Sequence, residues 1–312
     1  MDAVTTAIEA VKTAIPNITL KRDEPLRNHT TFKVGGPVRV MFFPDSAAGI
    51  AEICYILDGF GISPLIMGNG SNILADDKLL DLAVVNTSGL NGIELITEAG
   101  SISPDYREIK ANAGALLSKL AVFASENGLT GLEFAHGIPG TVGGAVVMNA
   151  GAYDGEMKDV VFSTAAYSIG SGERTFTAAE NEFSYRHSRF SQSDEIVLSA
   201  VIRLHKGNKE SIKQKMDELG ARRRESQPLD LPSGGSTFKR PKDGYTAALI
   251  EEAGLKGYSI GGAQVSQKHS GFIVNKGNAT FSDIMAVIEH VQNEVFKQFG
   301  TQWELEIKIV RG

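Results

Sequence analysis

Two glycine-rich segments carry the first chemical signal in this chain. One is Gly68-Asn69-Gly70-Ser71-Asn72, which follows the apolar run Leu65-Ile66-Met67. The other is Gly137-Ile138-Pro139-Gly140-Thr141-Val142-Gly143-Gly144, with Asn149-Ala150-Gly151 soon after it. Glycine lets backbone N–H groups come close to a phosphate, and short polar side chains add hydrogen bonds. A pyrophosphate can be held this way without metal. Two tight turns are the alternative reading of the same residues, and for either segment alone the better one. Taken together, about seventy residues apart, they favour a dinucleotide clamp. Neither segment is the nicotinamide fingerprint, because Ile73 stands where G-x-G-x-x-G needs its third glycine, and no P-loop pattern occurs.

Other reactive residue types narrow the chemistry. The chain has 312 residues, a net charge of -6 and one cysteine, Cys54, set in an apolar stretch of helical spacing. A single thiol cannot close an internal disulfide, and Cys54 reads as core. The histidines are scattered without metal-ligand spacing, so no metal site is expected. The acidic balance argues against general nucleic-acid binding. Arg222, Arg223 and Arg224 form one basic run, which on a helix reads as a solvated face. No apolar run reaches the roughly 18 residues of a membrane helix, and the N-terminal stretch lacks a basic region of signal-peptide type. The expectation is a cytoplasmic protein with no membrane insertion. No feature specifies an oligomer, and a monomer is expected.

Positioning elements follow from periodicity. Val4, Ala7, Ile8, Val11 and Ile15 predict an N-terminal helix. Strands are expected at 38–44 and at 82–86, residues 64–72, PLIMGNGSN, read as a strand running into a Gly-rich turn, and a helix starting at Ser46 is expected over 46–58. Residues 114–127 read as a helix stopped by Gly128, and 195–205 as a long strand. A charged helix follows 207, with Ile212, Met216 and Leu219 on its buried face. Composition shifts there, so a domain boundary is placed near residue 207. The last helix is expected to be capped by Ser282 and ended by Gly300, burying Ile284, Val287, Ile288, Val291, Val295 and Phe299. Residues 303–310, WELEIKIV, alternate as one strand, which puts Glu304 and Glu306 on the same side. The mixture points to α/β or α+β packing.

Six runs then carry a family resemblance. They are NHTTFKVGGP (28–37), MGNGSN (67–72), GLEFAHGIPGTVGGAVVMNAGAY (131–153), YRHSRF (185–190), GSTFKRP (235–241) and GGAQVSQKHSGFIVN (261–275). In this order they closely resemble the UDP-N-acetylenolpyruvoylglucosamine reductase (MurB) family, from about residue 20 to the C-terminus. The chain resembles the shorter subtype that lacks an extra tyrosine-bearing loop. The resemblance implies an α+β fold: a two-part FAD-binding domain of the vanillyl-alcohol-oxidase (PCMH) type and a C-terminal α+β substrate-binding domain. With the composition shift, this divides the chain into a helix at 1–19, a FAD domain at 20–207 (subdomains about 20–88 and 89–207) and a substrate domain at 208–312. It also implies non-covalent FAD, NADPH as hydride donor and UDP-N-acetylglucosamine enolpyruvate as the small-molecule substrate, in peptidoglycan synthesis.

The same resemblance assigns roles. Arg186 would pair with the substrate carboxylate, as a planar fork suits a carboxylate. Ser236 would give a proton to the enolate carbon, although Gly-Gly-Ser ordinarily marks a turn. Glu306 would assist protonation or orient the enolate, with Glu304 as its rival. Tyr185, Lys239, Arg240, Gln264, His269 and Asn275 fall in matching runs and would line the substrate site. The family often has Asn where Arg240 stands, and a lone histidine such as His269 is more often structural. Two rival functions keep the glycine segments: an oxidase of the same flavin fold, and a nucleotide-binding module without catalysis. Both leave Arg186, Ser236 and Glu306 unexplained. The purified protein is expected to be yellow and to release FAD on denaturation. A colourless protein that cannot be reconstituted with FAD would overturn the clamp.

Overall fold

The computed structural model describes residues 2–96, 105–241 and 244–312. Helices and mainly antiparallel sheets make two compact units. The first comprises residues 1–21, 40–69 and 83–222; the second comprises 22–39, 70–82 and 223–312. The sequence reading runs 20–207 together as one domain. In the structure, 22–39 and 70–82 pack with the C-terminal segment instead.

In the first unit, helix Ala3–Ala14 buries Ala7, Ile8 and Val11 in one cluster with Ile50, Ile53, Cys54 and Leu57 of helix Ala47–Gly59. Ser46 caps the second helix, its side chain accepting from Gly49 N at 3.1 Å. Burial pushes the Cys54 thiol up to about 12, so it stays protonated and inert at neutral pH. Strand Leu65–Met67 runs parallel to the 84–86 end of its neighbour and delivers the chain into the first glycine segment. A larger antiparallel sheet is centred on Ile196–Lys206, which pairs with Val161–Ser168 on one side and Tyr106–Asn112 on the other.

Helix Leu117–Glu126 begins three residues later than the apolar spacing predicts. Residues 114 and 115 form a turn and a bend, and Leu116 a single bridge, instead. Leu116 bridges to Thr141, Leu117 N donates to Gly140 O at 3.0 Å, and Val142 N donates to Ala115 O at 2.8 Å. The second glycine segment thus uses the start of the periodic run as its partner. Beyond Thr141 it becomes a short helix, Val142–Met148, where the sequence suggested only turns.

The second unit carries an antiparallel sheet in the order Ser233–Ser236, Phe272–Asn275, Ala263–Val265, Ser259–Ile260. Helix Phe281–Phe299 covers it, burying Ile284, Val287, Ile288, Val291 and Val295, with Phe299 half-buried. Its cap is Thr280 rather than Ser282. The Thr280 side chain accepts from Asp283 N, and the Asp283 carboxylate accepts from Thr280 N, a reciprocal capping box. These bonds hold the Asp283 carboxyl below its usual range.

The 303–310 run is not one strand. Leu305 bridges to Phe238, and only Lys308–Val310 forms a strand, parallel to Ile73–Ala75. The chain changes partners between them, which the unbroken alternation cannot reveal. Thr280→Ala is expected to lower stability by about 1 kcal/mol, the usual worth of a side-chain cap, whereas Ser282→Ala should change it little. Urea unfolding of both variants checks the assignment of the cap.

Candidate active site

In the first unit the two glycine segments meet. Asn69 Nδ2 donates to Pro139 O at 2.6 Å. A Cβ on Gly68 would lie 2.1 Å from Thr141 Oγ1, so only glycine allows this approach. Asn86 adds support by donating to Gly68 O at 3.3 Å.

Within 137–144 the backbone groups divide into two sets. Ile138 N, Val142 N and Gly143 N are taken by protein carbonyls, as is Ala145 N just beyond. Gly143 is there for packing, since its Cβ would sit 2.9 Å from Ala113 Cβ. Gly144 differs. It is exposed, its φ is not in the left-handed region, and its Cβ would meet only Thr141 Oγ1, at 3.7 Å. A helical glycine costs up to about 1 kcal/mol relative to alanine. Among the described residues, no packing contact excludes a side chain at this position.

Asn149 ends the short helix in the left-handed region, at φ 43. It is fully buried and its side chain is spent on the protein. Nδ2 donates to Glu156 Oε2 at 3.0 Å and to Ser184 O at 2.9 Å, and Oδ1 accepts from Lys158 N at 2.9 Å. It therefore organises the site, leaving Ala150 and Gly151 as the parts of that run near the surface. Ser184 and His187 exchange backbone bonds and leave Tyr185-Arg186 at the tip of a tight turn. Arg186 sits at φ 54, a conformation non-glycine residues adopt at a cost. Its guanidinium donates to Gly151 O at 3.4 Å and lies 5.2 Å from the Tyr185 ring centre. The structure therefore brings Arg186 to the end of the second glycine segment.

Glu156 escaped the sequence reading, because no spacing marks it. Partial burial works to raise its pKa. Hydrogen bonds from Lys158 and Asn149, with the charges of Lys158 and Arg186, outweigh that and hold the carboxyl below its usual range. It stays ionised beside Arg186.

The second unit groups Ser236, Lys239, Glu304 and Glu306. Ser233 and Ser236 pair with Val274 and Phe272, so two residues, Gly234 and Gly235, oppose the single Ile273. This is a β-bulge on an edge strand, a device that re-aims the next side chain, and not the turn that Gly-Gly-Ser suggests. Gly235 takes φ +78 there, and a Cβ on Gly234 would strike Phe32 at 2.4 Å. Past Ser236, Glu306 N donates to Thr237 O and Lys239 N to Glu304 O, both at 2.9 Å. Asn72 Nδ2 donates to Glu306 O at 2.9 Å, so this member of the first glycine segment steadies the backbone that carries the carboxylate. Gly70 and Ser71 belong to the same unit; the carbonyl of Gly70 accepts from Thr31 N at 3.3 Å.

The two glutamates are distinguished by environment. Glu304 is exposed and ion-paired to Lys239 at 2.7 Å, and the hydrogen bond from Lys239 lowers its pKa. Glu306 is half-buried beside the Ser236 strand.

The remaining candidates are scattered. Arg240 lies 5.3 Å from the Tyr245 ring centre. Gln264 donates to Gly257 O and Ser259 Oγ, and lines a cavity of about 450 Å³ with Arg224 and Lys268. His269 Nδ1 accepts from Gly271 N at 3.2 Å, and burial lowers its pKa, so the ring is neutral at pH 7. Asn275 is buried and gives both ends of its amide to backbone groups of Phe32, Gly277 and Ala279.

Comparisons with known proteins agree with this geometry. Residues 38–175 match the model of a FAD binding domain, which spans the joined glycine segments. Residues 227–310 match the C-terminal domain of UDP-N-acetylenolpyruvoylglucosamine reductase, which spans Ser236 and Glu306. The enzyme of that name from Caldanaerobacter subterraneus is 47% identical over 97% of each chain. The one from Agathobacter rectalis is 45% identical over 98% of each. Among solved structures, UDP-N-acetylenolpyruvylglucosamine reductase (MurB) from Thermus caldophilus is 30% identical and superposes with a TM-score of 0.78, over 94% of this chain and 99% of that one. Two domain models, near full-length relatives and a shared fold converge, and the chain belongs to the UDP-N-acetylenolpyruvoylglucosamine reductase (MurB) family.

Proposed function

We propose that this protein catalyses the NADPH-dependent, FAD-mediated reduction of UDP-N-acetylglucosamine enolpyruvate to UDP-N-acetylmuramate, the reduction step of peptidoglycan synthesis. The observation that carries the reading is the joining of Gly68–Asn69 to Pro139–Thr141, with Arg186 on Gly151 O in the same unit. The domain division follows: the FAD domain holds the joined segments, and the C-terminal domain presents Ser236 and Glu306. A cytoplasmic enzyme serving wall growth, cell shape and division is the corresponding cellular reading. No described helix is long and apolar enough to cross a membrane.

The exposed face of Gly144 and the neighbouring Gly137, Gly140 and Thr141 would hold the FAD pyrophosphate, with the flavin bound non-covalently. When bound, FAD supplies the hydride, taken from NADPH. Addition of hydride to the terminal vinyl carbon, before the adjacent carbon is protonated, spreads an additional negative charge onto the substrate carboxylate. Arg186 answers it: the guanidinium is permanently charged, half-buried and pinned by its strained turn, so it need not reorganise as charge develops. Ser236 gives its proton to the carbon beside the carboxylate, and the register shift before it supports this, because a bulge re-aims the side chain that follows. Among the described residues that hydroxyl has no hydrogen-bond partner, so its proton is available. Serine is a weak acid, and Glu306, whose backbone N–H donates to Thr237 O, is the group to orient the hydroxyl or help restore its proton. Tyr185, Lys239 and Arg240 remain the substrate-contact candidates, with Lys239 exchanging Glu304 for a phosphate.

Gly144→Leu separates cofactor cradle from turn. Leucine is the better helix former and meets open space, so the variant should fold normally yet lose FAD affinity. Gly143→Ala should lose stability with or without flavin, because it presses on Ala113. Full flavin occupancy in Gly144→Leu would remove the cradle. Ser236→Ala should bind FAD and be reduced by NADPH at the parent's rate. Its reoxidation by the enolpyruvyl sugar should slow by at least ~10²-fold, the usual worth of a general acid. Rapid-mixing measurement of the two half-reactions decides it. Slow reduction with normal reoxidation would move Ser236 to the cofactor side, and unchanged turnover would return it to a structural role. NADPH consumption that does not depend on the enolpyruvyl sugar would sink the reductase reading itself.

A further inference from the structure

The second unit holds a cavity of about 770 Å³ whose walls include Arg27, Lys33, Lys276 and Asp77. Neither Ser236 nor Glu306 lines it. We propose that this cavity binds a polyphosphate anion of nucleotide size, a function outside the reductase reading and independent of it.

The argument begins with charge. The chain as a whole is acidic, at -6, yet three cations border this one concavity. Among the described residues, none of the three cations is engaged in an ion pair. The lone acid is already answered, because Asp77 Oδ2 accepts from Phe281 N at 2.6 Å, at the positive end of helix Phe281–Phe299. Arg311 adds a further cation next to this rim, 5.6 Å from the Phe281 ring centre. Like charges left unpaired around a concave wall repel one another and concentrate a positive potential, and a bound anion relieves the repulsion.

Shape points the same way. The volume falls inside the roughly 300–1,000 Å³ of small-molecule sites, far more than a single phosphate fills. Arg27 can fork onto one phosphate, while Lys33 and Lys276 act as point charges for others. Lys33 holds φ 58, a left-handed conformation that such a side chain adopts at a cost, while Gly277 at φ +117 and Asn278 at φ 57 are residue types that allow the tight loop. Strain of this kind gathers at ligand sites. Asn275 braces the loop from beneath through Gly277 N and Ala279 N at 2.9 and 3.1 Å, leaving the Lys276 side chain exposed.

The test uses the FAD-loaded protein with saturating UDP-N-acetylmuramate, which fills the phosphate sites of the reductase reading. Equilibrium dialysis with ATP, without magnesium, should then show saturable binding of one ATP per chain. Raising salt from roughly 50 to 300 mM should weaken it steeply, as exposed charges are screened. The triple variant R27Q/K33Q/K276Q should bind ATP at least ~10-fold more weakly while keeping its FAD content and turnover. If the triple variant does not fold, Lys276→Glu alone should weaken ATP binding by at least ~5-fold. No saturable ATP binding to the parent, or equal affinity in the variants, overturns the proposal. Loss of turnover in the parent preparation would count against the reductase reading alone, because the ATP measurement does not require catalysis.

Discussion

The absence of a side chain at residue 68 is the constraint on which the flavin half of the site depends. Thr141 Oγ1 occupies the place where a Cβ would stand, and Asn69 completes the junction by bonding Pro139 O. Two segments about seventy residues apart are thereby locked at backbone distance. Everything downstream takes its position from this lock. Thr141 bridges Leu116, which sets where helix Leu117–Glu126 starts, and the same residue begins the short helix that displays Gly144.

A second organising group is Asn149. Its buried amide joins the end of that short helix to the 184–187 turn and to the loop carrying Glu156 and Lys158. One side chain therefore couples the cofactor segment to the turn that aims Arg186. A buried amide with several satisfied bonds is rigid, and removing it would strand several polar groups at once. Rigidity matters because a permanently charged guanidinium stabilises developing charge best when it is already in place.

Much of the fold was legible in the residues. The amphipathic spacings of the N-terminal and C-terminal helices, the cap at Ser46 and the buried faces of Ile212, Met216 and Leu219 follow from local periodicity, and all are present. The glycine pair and the six runs gave the family. What escaped the sequence was non-local. The late start of the helix at Leu117 depends on Thr141, and the break in WELEIKIV depends on a change of partner from Phe238 to the 73–75 strand. Thr280 displaced Ser282 as cap because only Thr280 has Asp283 three residues ahead of it. Gly-Gly-Ser reads as a turn and is a bulge, since the deciding partner, Ile273, lies far along the chain. Glu156 had no sequence signal, because its neighbours assemble only when three loops meet.

The interleaving of the two units has a consequence for synthesis. Phe32 is completely buried against Gly234 and Ile307 in the second unit, yet it leaves the ribosome some 275 residues before Ile307 exists. At bacterial elongation rates of ~5–20 residues per second, that delay is roughly 15 to 55 s. Throughout it, the 22–39 segment offers Phe32 and Val34 to water or to any apolar surface nearby. The first unit's last segment ends at residue 222, so all of its residues exist while most of the second unit is still to be made. Nascent chains of this protein therefore carry two core side chains, Phe32 and Val34, whose burial must wait for the C-terminal segment.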